Sequence, residues 1–261
     1  MRYFSILISF VKYGLAQLLE YRVNFLIYSL LSVFWTFFFI FSAGLILGNV
    51  SSIAGWSKNE VLLLTATATL FSSLLWFFVF PSLNEFSELV RKGNLDYSLV
   101  KPINSRLLIS IQRFDFNPIV RITLITLFIL NLVGSMTLHI GIMQVILYVL
   151  MLVLGMIIFY NVFYSVTILN IWFTNIFNLE DFFHSILETG RYPLDIYKSV
   201  FSLIFSFIIP VGFIGTFPVQ ALLGKLAPEK FIFAIFLVVA TTIFSHYFWN
   251  FALRHYTSAS S

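Results

Sequence analysis

Four residues in one short stretch have the side chains that acid–base or metal chemistry uses. Glu180, Asp181, His184 and Glu188 are spaced so that a helix sets them on one side. Carboxylates and an imidazole in that pattern could hold a metal or move a proton. They read more readily as the polar side of a cytoplasmic helix continuing from the apolar run before it. Phe182, Phe183, Ile186 and Leu187 would be its membrane face, and the acidic side a contact for a soluble partner. Nothing else supports chemistry there, so neither a catalytic residue nor a metal is assigned. The chain has no cysteine, which excludes thiolate metal sites, disulfides and cysteine nucleophiles. Phosphate-loop chemistry is missing too, since Gly224-Lys225 lacks a glycine five residues earlier and a hydroxyl after it. Neither a His-Glu-x-x-His nor a Gly-x-Ser-x-Gly motif occurs.

The elements that would carry these residues are membrane helices. Of 261 residues, 60% are hydrophobic and only 10% charged, against about 25% charged in an ordinary soluble domain. A globule of this size cannot bury so much apolar surface. A soluble enzyme, a disordered chain and a nucleic-acid-binding domain are thereby excluded, despite a net charge of +4. Six runs meet or approach the roughly 20 apolar residues that span a bilayer. They cover about 24–47, 61–80, 119–138, 142–168, 197–217 and 231–253. The expected fold is therefore an all-α membrane protein, one polytopic domain over 1–261, with the bilayer as its solvent. If the N-terminus is cytoplasmic, all 15 Lys and Arg except Lys58, Lys225 and Lys230 fall on the inner side. Both termini are therefore expected in the cytoplasm.

No Asp or Glu falls within these runs, except at their ends. Polar candidates at mid-membrane are neutral: Asn131, Asn161, Thr167, Asn250 and His246. Asn131, Asn161 and His246 could line a path or simply bond between helices. His246 reads more readily as a packing residue than as a proton relay. Arg121, three residues into its run, is expected to snorkel inward.

Two segments outside the runs have helical patterns. In residues 3–20, Phe4, Ile8, Val11, Leu15 and Leu18 share one face, while Ser5, Ser9, Lys12 and Glu20 share the other. That pattern predicts an amphipathic helix on the inner leaflet, or a mere lead-in to the first span. Gly14-Leu15-Ala16 loosely fits a signal cleavage site, but Lys12 interrupts the apolar run. The loop at 81–118 is the richest in signals. Ser82 and Glu85 have capping-box spacing, Glu88 and Lys92 are four apart, and Gly93 is placed to end the helix. Leu83, Phe86, Leu89 and Val90 make an apolar back; Asn84, Glu85, Glu88, Arg91 and Lys92 make a charged front. Such a helix could pack its back on the membrane helices and dock its front in a soluble partner. It could equally be a solvated connector. A second helix is expected from an Asn104 cap to about Arg113, with Asn117-Pro118 opening the third span.

This loop resembles that of exporter-type (type 2) permeases of ATP-binding-cassette (ABC) transporters. Gly93, Leu95, Asp96, Leu99 and Pro102 fit that class's order of glycine, leucine, acid, leucine and proline. More narrowly, the chain is similar to the small bacterial six-helix permeases whose ATPase is encoded separately. Gly55-Trp56-Ser57 with Glu60, Tyr192-Pro193 with Tyr197, and Pro210 with Pro218 fit that family. So does the ending Trp249, Leu253, Arg254, Tyr256, Ser258 and Ala259. The resemblance implies a permease half in the bacterial cytoplasmic membrane, paired with a second permease subunit, the same or similar. It implies a cytoplasmic coupling helix, with Glu85, Glu88, Arg91, Gly93, Leu95, Asp96 and Pro102 at the contact with an ABC ATPase dimer. ATP and Mg would be bound on that partner and no cofactor on this chain. One departure is the short segment 218–230, where the wider class forms broken half-helices. Pro210, Gly212, Gly215, Pro218 and Gly224 would break helices there. Two other readings stay open: an ion-coupled transporter or channel without an ATPase, and a membrane-embedded enzyme using the 180–188 group. The apolar spans favour a hydrophobic or amphipathic cargo.

Overall fold

The computed structural model describes residues 2–48, 52–136, 140–173, 179–197 and 210–256. Helix α1 (Arg2–Glu20) leads through Tyr21 into α2 (Arg22–Gly48). The apolar residues Phe4, Ile8 and Leu15 of α1 are exposed, uncovered by the rest of the chain. A small antiparallel hairpin, β1 (Ser52–Ile53) with β2 (Trp56–Ser57), turns through Ala54 and Gly55. Helix α3 (Lys58–Phe78) follows, its first turn closed by Glu60, which accepts from the Ser57 amide at 2.9 Å. After a break at Val79 come α4 (Phe80–Arg91), α5 (Leu95–Leu99) and α6 (Ser105–Ile111). Next are α7 (Ile119–Ser135) and α8 (Ile142–Ile168). The last are α9 (Leu179–Thr189), α10 (Thr216–Leu222) and α11 (Pro228–His255).

Among the described residues, α2, α3, α8 and α11 are long and apolar enough to cross a membrane. Helix α7 is apolar but shorter, with 17 residues. Helix α8 matches its expected run residue for residue. Helices α2, α3 and α11 cover theirs to within a few positions. The expected turn at 139–141 lies partly outside the described residues.

Helix α3 is the axis of the packing. Thirteen of its side chains are buried. Several of its hydroxyls donate back along the helix, Thr65 to the Val61 carbonyl and Ser73 to that of Thr69, which satisfies them inside the bundle. Phe71 meets Phe159 of α8 edge to face at 5.4 Å. Because α3 rises about 1.5 Å per residue, contacts along it act as a ruler.

That ruler changes the reading of residues 179–196. Glu180 accepts from Asn84 Nδ2 at 3.1 Å, and Phe183 stacks on Phe80, both at the α4 end. Further along, the Arg191 carbonyl accepts from Thr65 Oγ1 at 3.3 Å. Asp195 Oδ2 then accepts from Trp56 Nε1 at 2.8 Å, at the hairpin end. The segment therefore runs the whole length of α3. Composition placed it on the cytoplasmic side, because its acids made it look too polar for a bundle. It is tolerated inside because Phe183, Ile186 and Leu187 are buried, while Glu188 ion-pairs with Arg191 at 2.7 Å. Of the expected fifth run, 198–209 lies outside the described residues. Residues 210–217 form a short 3₁₀ turn and the start of α10, all buried. There Phe213 passes so close to Gly155, midway along α8, that a Cβ on that glycine would lie 3.1 Å from it. The chain around 213 thus reaches the middle of α8, while Gly224 lies against Gln144 in its first turn.

Candidate functional site

The segment 80–113 builds a module at one end of the bundle. Helix α4 continues α3 almost without interruption: the Val79 amide still donates to the Leu75 carbonyl at 2.8 Å. Pro81 stands in its first turn, where its missing N–H costs nothing. Ser82 is therefore inside the helix, and the expected capping box with Glu85 does not form. Instead Ser82 Oγ donates to the Arg113 carbonyl at 2.8 Å and accepts from the Arg113 amide at 3.1 Å. Glu85 accepts from Arg113 Nη1 at 2.7 Å. Both polar groups of the expected box thus fasten α4 to the strap before α7.

The far end of α4 closes as the spacing predicts. Gly93 takes φ +68°, a left-handed conformation that side chains other than glycine's resist. Its amide donates to the Val90 carbonyl, and the Asn94 amide to that of Leu89, the paired bonds of a Schellman motif. The apolar back is locked down: Leu83, Phe86 and Val90 are buried. Phe80 stacks on Phe163 of α8, and Phe86 meets Trp249 of α11 at 5.8 Å. On the front, Glu88 ion-pairs with Arg91 at 2.6 Å and Lys92 at 3.0 Å on the solvent side of the helix. Arg91, foremost, and Lys92 hold its carboxyl below the usual range. After the turn Leu95 is fully buried, Asp96 half-buried and Pro102 exposed. Burial and then the nearby Asp96 charge push the Tyr256 phenol up, which places α5 against the end of α11.

Helix α6 brings in a residue that sequence reasoning passed over. Asn104 caps it as expected, accepting from the Leu107 amide at 3.2 Å, although the helix ends at Ile111, short of Arg113. Arg106 reaches between α8 and α11, donating to Asn161 Oδ1 at 2.9 Å and Ser245 Oγ at 2.6 Å. Asn161 Nδ2 completes the node by donating to Thr242 Oγ1 at 3.0 Å. The signal was there in outline: a single amide in the middle of an apolar run and an arginine just inside a capped amphipathic helix.

A second polar group lies beside α3 at depth. Arg191 packs its guanidinium 4.0 Å over the Phe39 ring of α2 and pairs with Glu188. His184 Nε2 lies 3.7 Å from Glu188 Oε1. Arg121 of α7 lines the same cavities as His184, and its Nε is buried without a hydrogen-bond partner. No group of three metal-ligating side chains occurs among the described residues.

Residues 30–260 match the family described as ABC-2 family transporter protein. The chain belongs to that family. It is thus an ABC transporter permease, a multi-pass membrane component that works with an ABC ATPase. No curated protein and no solved structure matches it.

In the permease, the loop residues Glu85, Glu88, Arg91, Gly93, Leu95 and Asp96 gather in one module with Pro102 at its edge. The three candidate path residues do not gather. Asn161 is 2% exposed and spent on the Arg106 node. Asn131 is exposed on α7. His246 is exposed on α11 and bonded to Asn250 one turn on at 3.1 Å. His184 and Glu188 lie beside α3, so the bundle holds an acid between its ends.

Proposed function

We propose that the permease is half of an ATP-driven exporter of the bacterial cytoplasmic membrane, served by a separately encoded ATPase dimer. The observation that carries this is the two-sided build of α4. Its back is fixed in α8, α9 and α11 by buried aromatics, while its charged front, Glu88 with Arg91 and Lys92, is open to a partner. A rigid lever of this kind passes a push from an ATPase to three helices at once. Glu85, Glu88, Arg91, Gly93, Asp96 and Pro102 form the coupling surface, with Leu95 buried beneath it as its anchor. ATP and Mg bind on the ATPase, and this chain carries no cofactor.

The chain crosses the membrane six times in this reading, as α2, α3, α7, α8, the segment 179–196 and α11. Both termini are cytoplasmic and α1 lies on the inner leaflet, where its exposed apolar face meets lipid. Residues 210–222 re-enter from the outer side. Two subunits, the same or similar, enclose the path, and the exposed Asn131 and His246 face the second one.

Crosslinking tests the coupling surface. A single cysteine at Glu88→Cys or Arg91→Cys, treated in native membranes with a short bifunctional reagent, captures an ATPase subunit. Failure of both positions to capture one, together with no ATPase in gently extracted complexes, removes this function. A second reading has one observation of its own: Glu188, Arg191 and His184 sit where an ion-coupled carrier would keep its relay. Transport driven by an ion gradient and indifferent to ATP would select it.

A further inference from the structure

Arg121 is a charge with no counter-charge. All eleven Asp and Glu residues of the chain lie within the described residues, and none makes an ion pair with it. Its neighbour Arg191 is already matched by Glu188. A guanidinium inside a membrane bundle costs several kcal/mol unless an anion accompanies it.

The space around Arg121 is shaped for a particular anion. Two adjoining cavities, about 550 Å³ and about 310 Å³, share Trp35, Arg121 and His184 in their walls. The larger extends to Asn24, Asp115 and Asn117. These also line a third cavity, which reaches Asn84 and Glu180 beside the coupling helix. The wall opposite Arg121 is α2, which contributes Tyr28, Leu31 and Trp35. The far face of α2 is bare, with Leu30, Phe34, Phe37 and Phe41 all exposed. One helix therefore separates the cavity from lipid. The titratable groups facing it are Arg121, His184, Glu188, Arg191, Asp115 and the Tyr28 phenol, and burial above all pushes the Asp115 carboxyl upward.

We propose that this cavity binds the anionic headgroup of an amphiphile, a phosphate, sulfate or carboxylate on an apolar tail. Arg121 grips the headgroup and the aromatic wall of α2 holds the tail. Arginine suits the role because its planar fork matches two oxygens of a phosphate or carboxylate. A free small anion would leave Tyr28, Leu31 and Trp35 without a partner, and a neutral lipid would leave Arg121 unmatched. As a substrate class for transport this rests on the permease reading; as a binding site it does not.

Fluorescence quenching tests it on the full purified chain, with no ATPase present. Trp35 and Trp76 line the larger cavity. In mixed micelles, brominated phosphatidylglycerol is expected to quench at about tenfold lower mole fraction than brominated phosphatidylcholine, the advantage a charge-assisted pair confers. Trp35→Phe should remove most of that difference. Arg121→Gln should bring the two lipids to parity, and Arg121→Lys should keep part of the preference. If Arg121→Gln elutes as aggregate, the Lys variant decides alone, and a preference equal to the parent's overturns the assignment. Equal quenching by both lipids in the parent overturns it too. Reversal by millimolar inorganic phosphate alone would show a free-anion site and overturn the amphiphile. Binding without any captured ATPase would leave the site standing while removing the exporter.

Discussion

At the scale of single residues, several arginines sit among apolar helices where few charges are tolerated. Arg106 is the clearest case, because it ties a surface helix to two membrane helices through neutral acceptors only. Hydrogen bonds to a charged group contribute about 1.5–3 kcal/mol each. Arg106→Met should therefore lower stability by about 2–3 kcal/mol, somewhat offset because Ser245 Oγ still donates to Asn161 Oδ1. The effect should shrink but not vanish in an Asn161→Leu background, since Arg106 then loses one of its two acceptors and keeps Ser245 Oγ. Thermal unfolding of the two single variants and the double variant in micelles checks this, and simple additivity would contradict the node. Gly93 gives a second residue-scale prediction. At φ +68°, Gly93→Ala should cost about 1–2 kcal/mol. That position was readable from sequence, because one glycine after an amphipathic run has one common use. Arg106 was not, because its partners lie 55 and 139 residues away.

At the scale of elements, α4 has two faces that should respond differently to substitution. Phe86 is fully buried, and truncating a buried Phe costs about 3–5 kcal/mol. Phe86→Ala should destabilise the whole permease and weaken ATPase association only as a consequence. Glu88 and its partners face solvent, and solvent-facing ion pairs contribute little to stability. Glu88→Lys should leave the melting temperature unchanged while reducing ATPase co-purification several-fold. The reverse pattern, a stable Phe86→Ala protein and an unstable Glu88→Lys protein, would mean that α4 is inverted in the bundle. Periodicity exposed this helix because its apolar and charged residues separate cleanly. It did not expose the roles of Ser82 and Glu85, whose spacing fits a cap but whose partner Arg113 comes from beyond α6.

At the scale of the whole molecule, the long uniform helices were legible and the mixed segment was not. Helices α2, α3, α8 and α11 announce themselves through unbroken apolar length. Residues 179–196 are half polar, so length and composition assign them to water. They can lie inside because α3 and α8 supply a dry face for Phe183, Ile186 and Leu187, and because Glu188 and Arg191 neutralise each other. Side-chain pairing across the fold overrides hydropathy here, and pairing is invisible to a window that slides along the chain. The topology that follows can be checked cleanly, since the chain has no native cysteine. Ile196 is 42% exposed at the hairpin end, and Tyr97 is 72% exposed beside the coupling helix. In intact cells, Ile196→Cys should react with a membrane-impermeant maleimide, and Tyr97→Cys should react only after the membrane is opened. Had the basic residues near 191 been cytoplasmic, as charge counting implies, both positions would be protected in intact cells. Labelling of Ile196→Cys from outside would therefore mean that Arg191 and Glu188 are held inside the bilayer as a pair, which leaves Arg121, whose Nε has no hydrogen-bond partner, to find an anion from elsewhere.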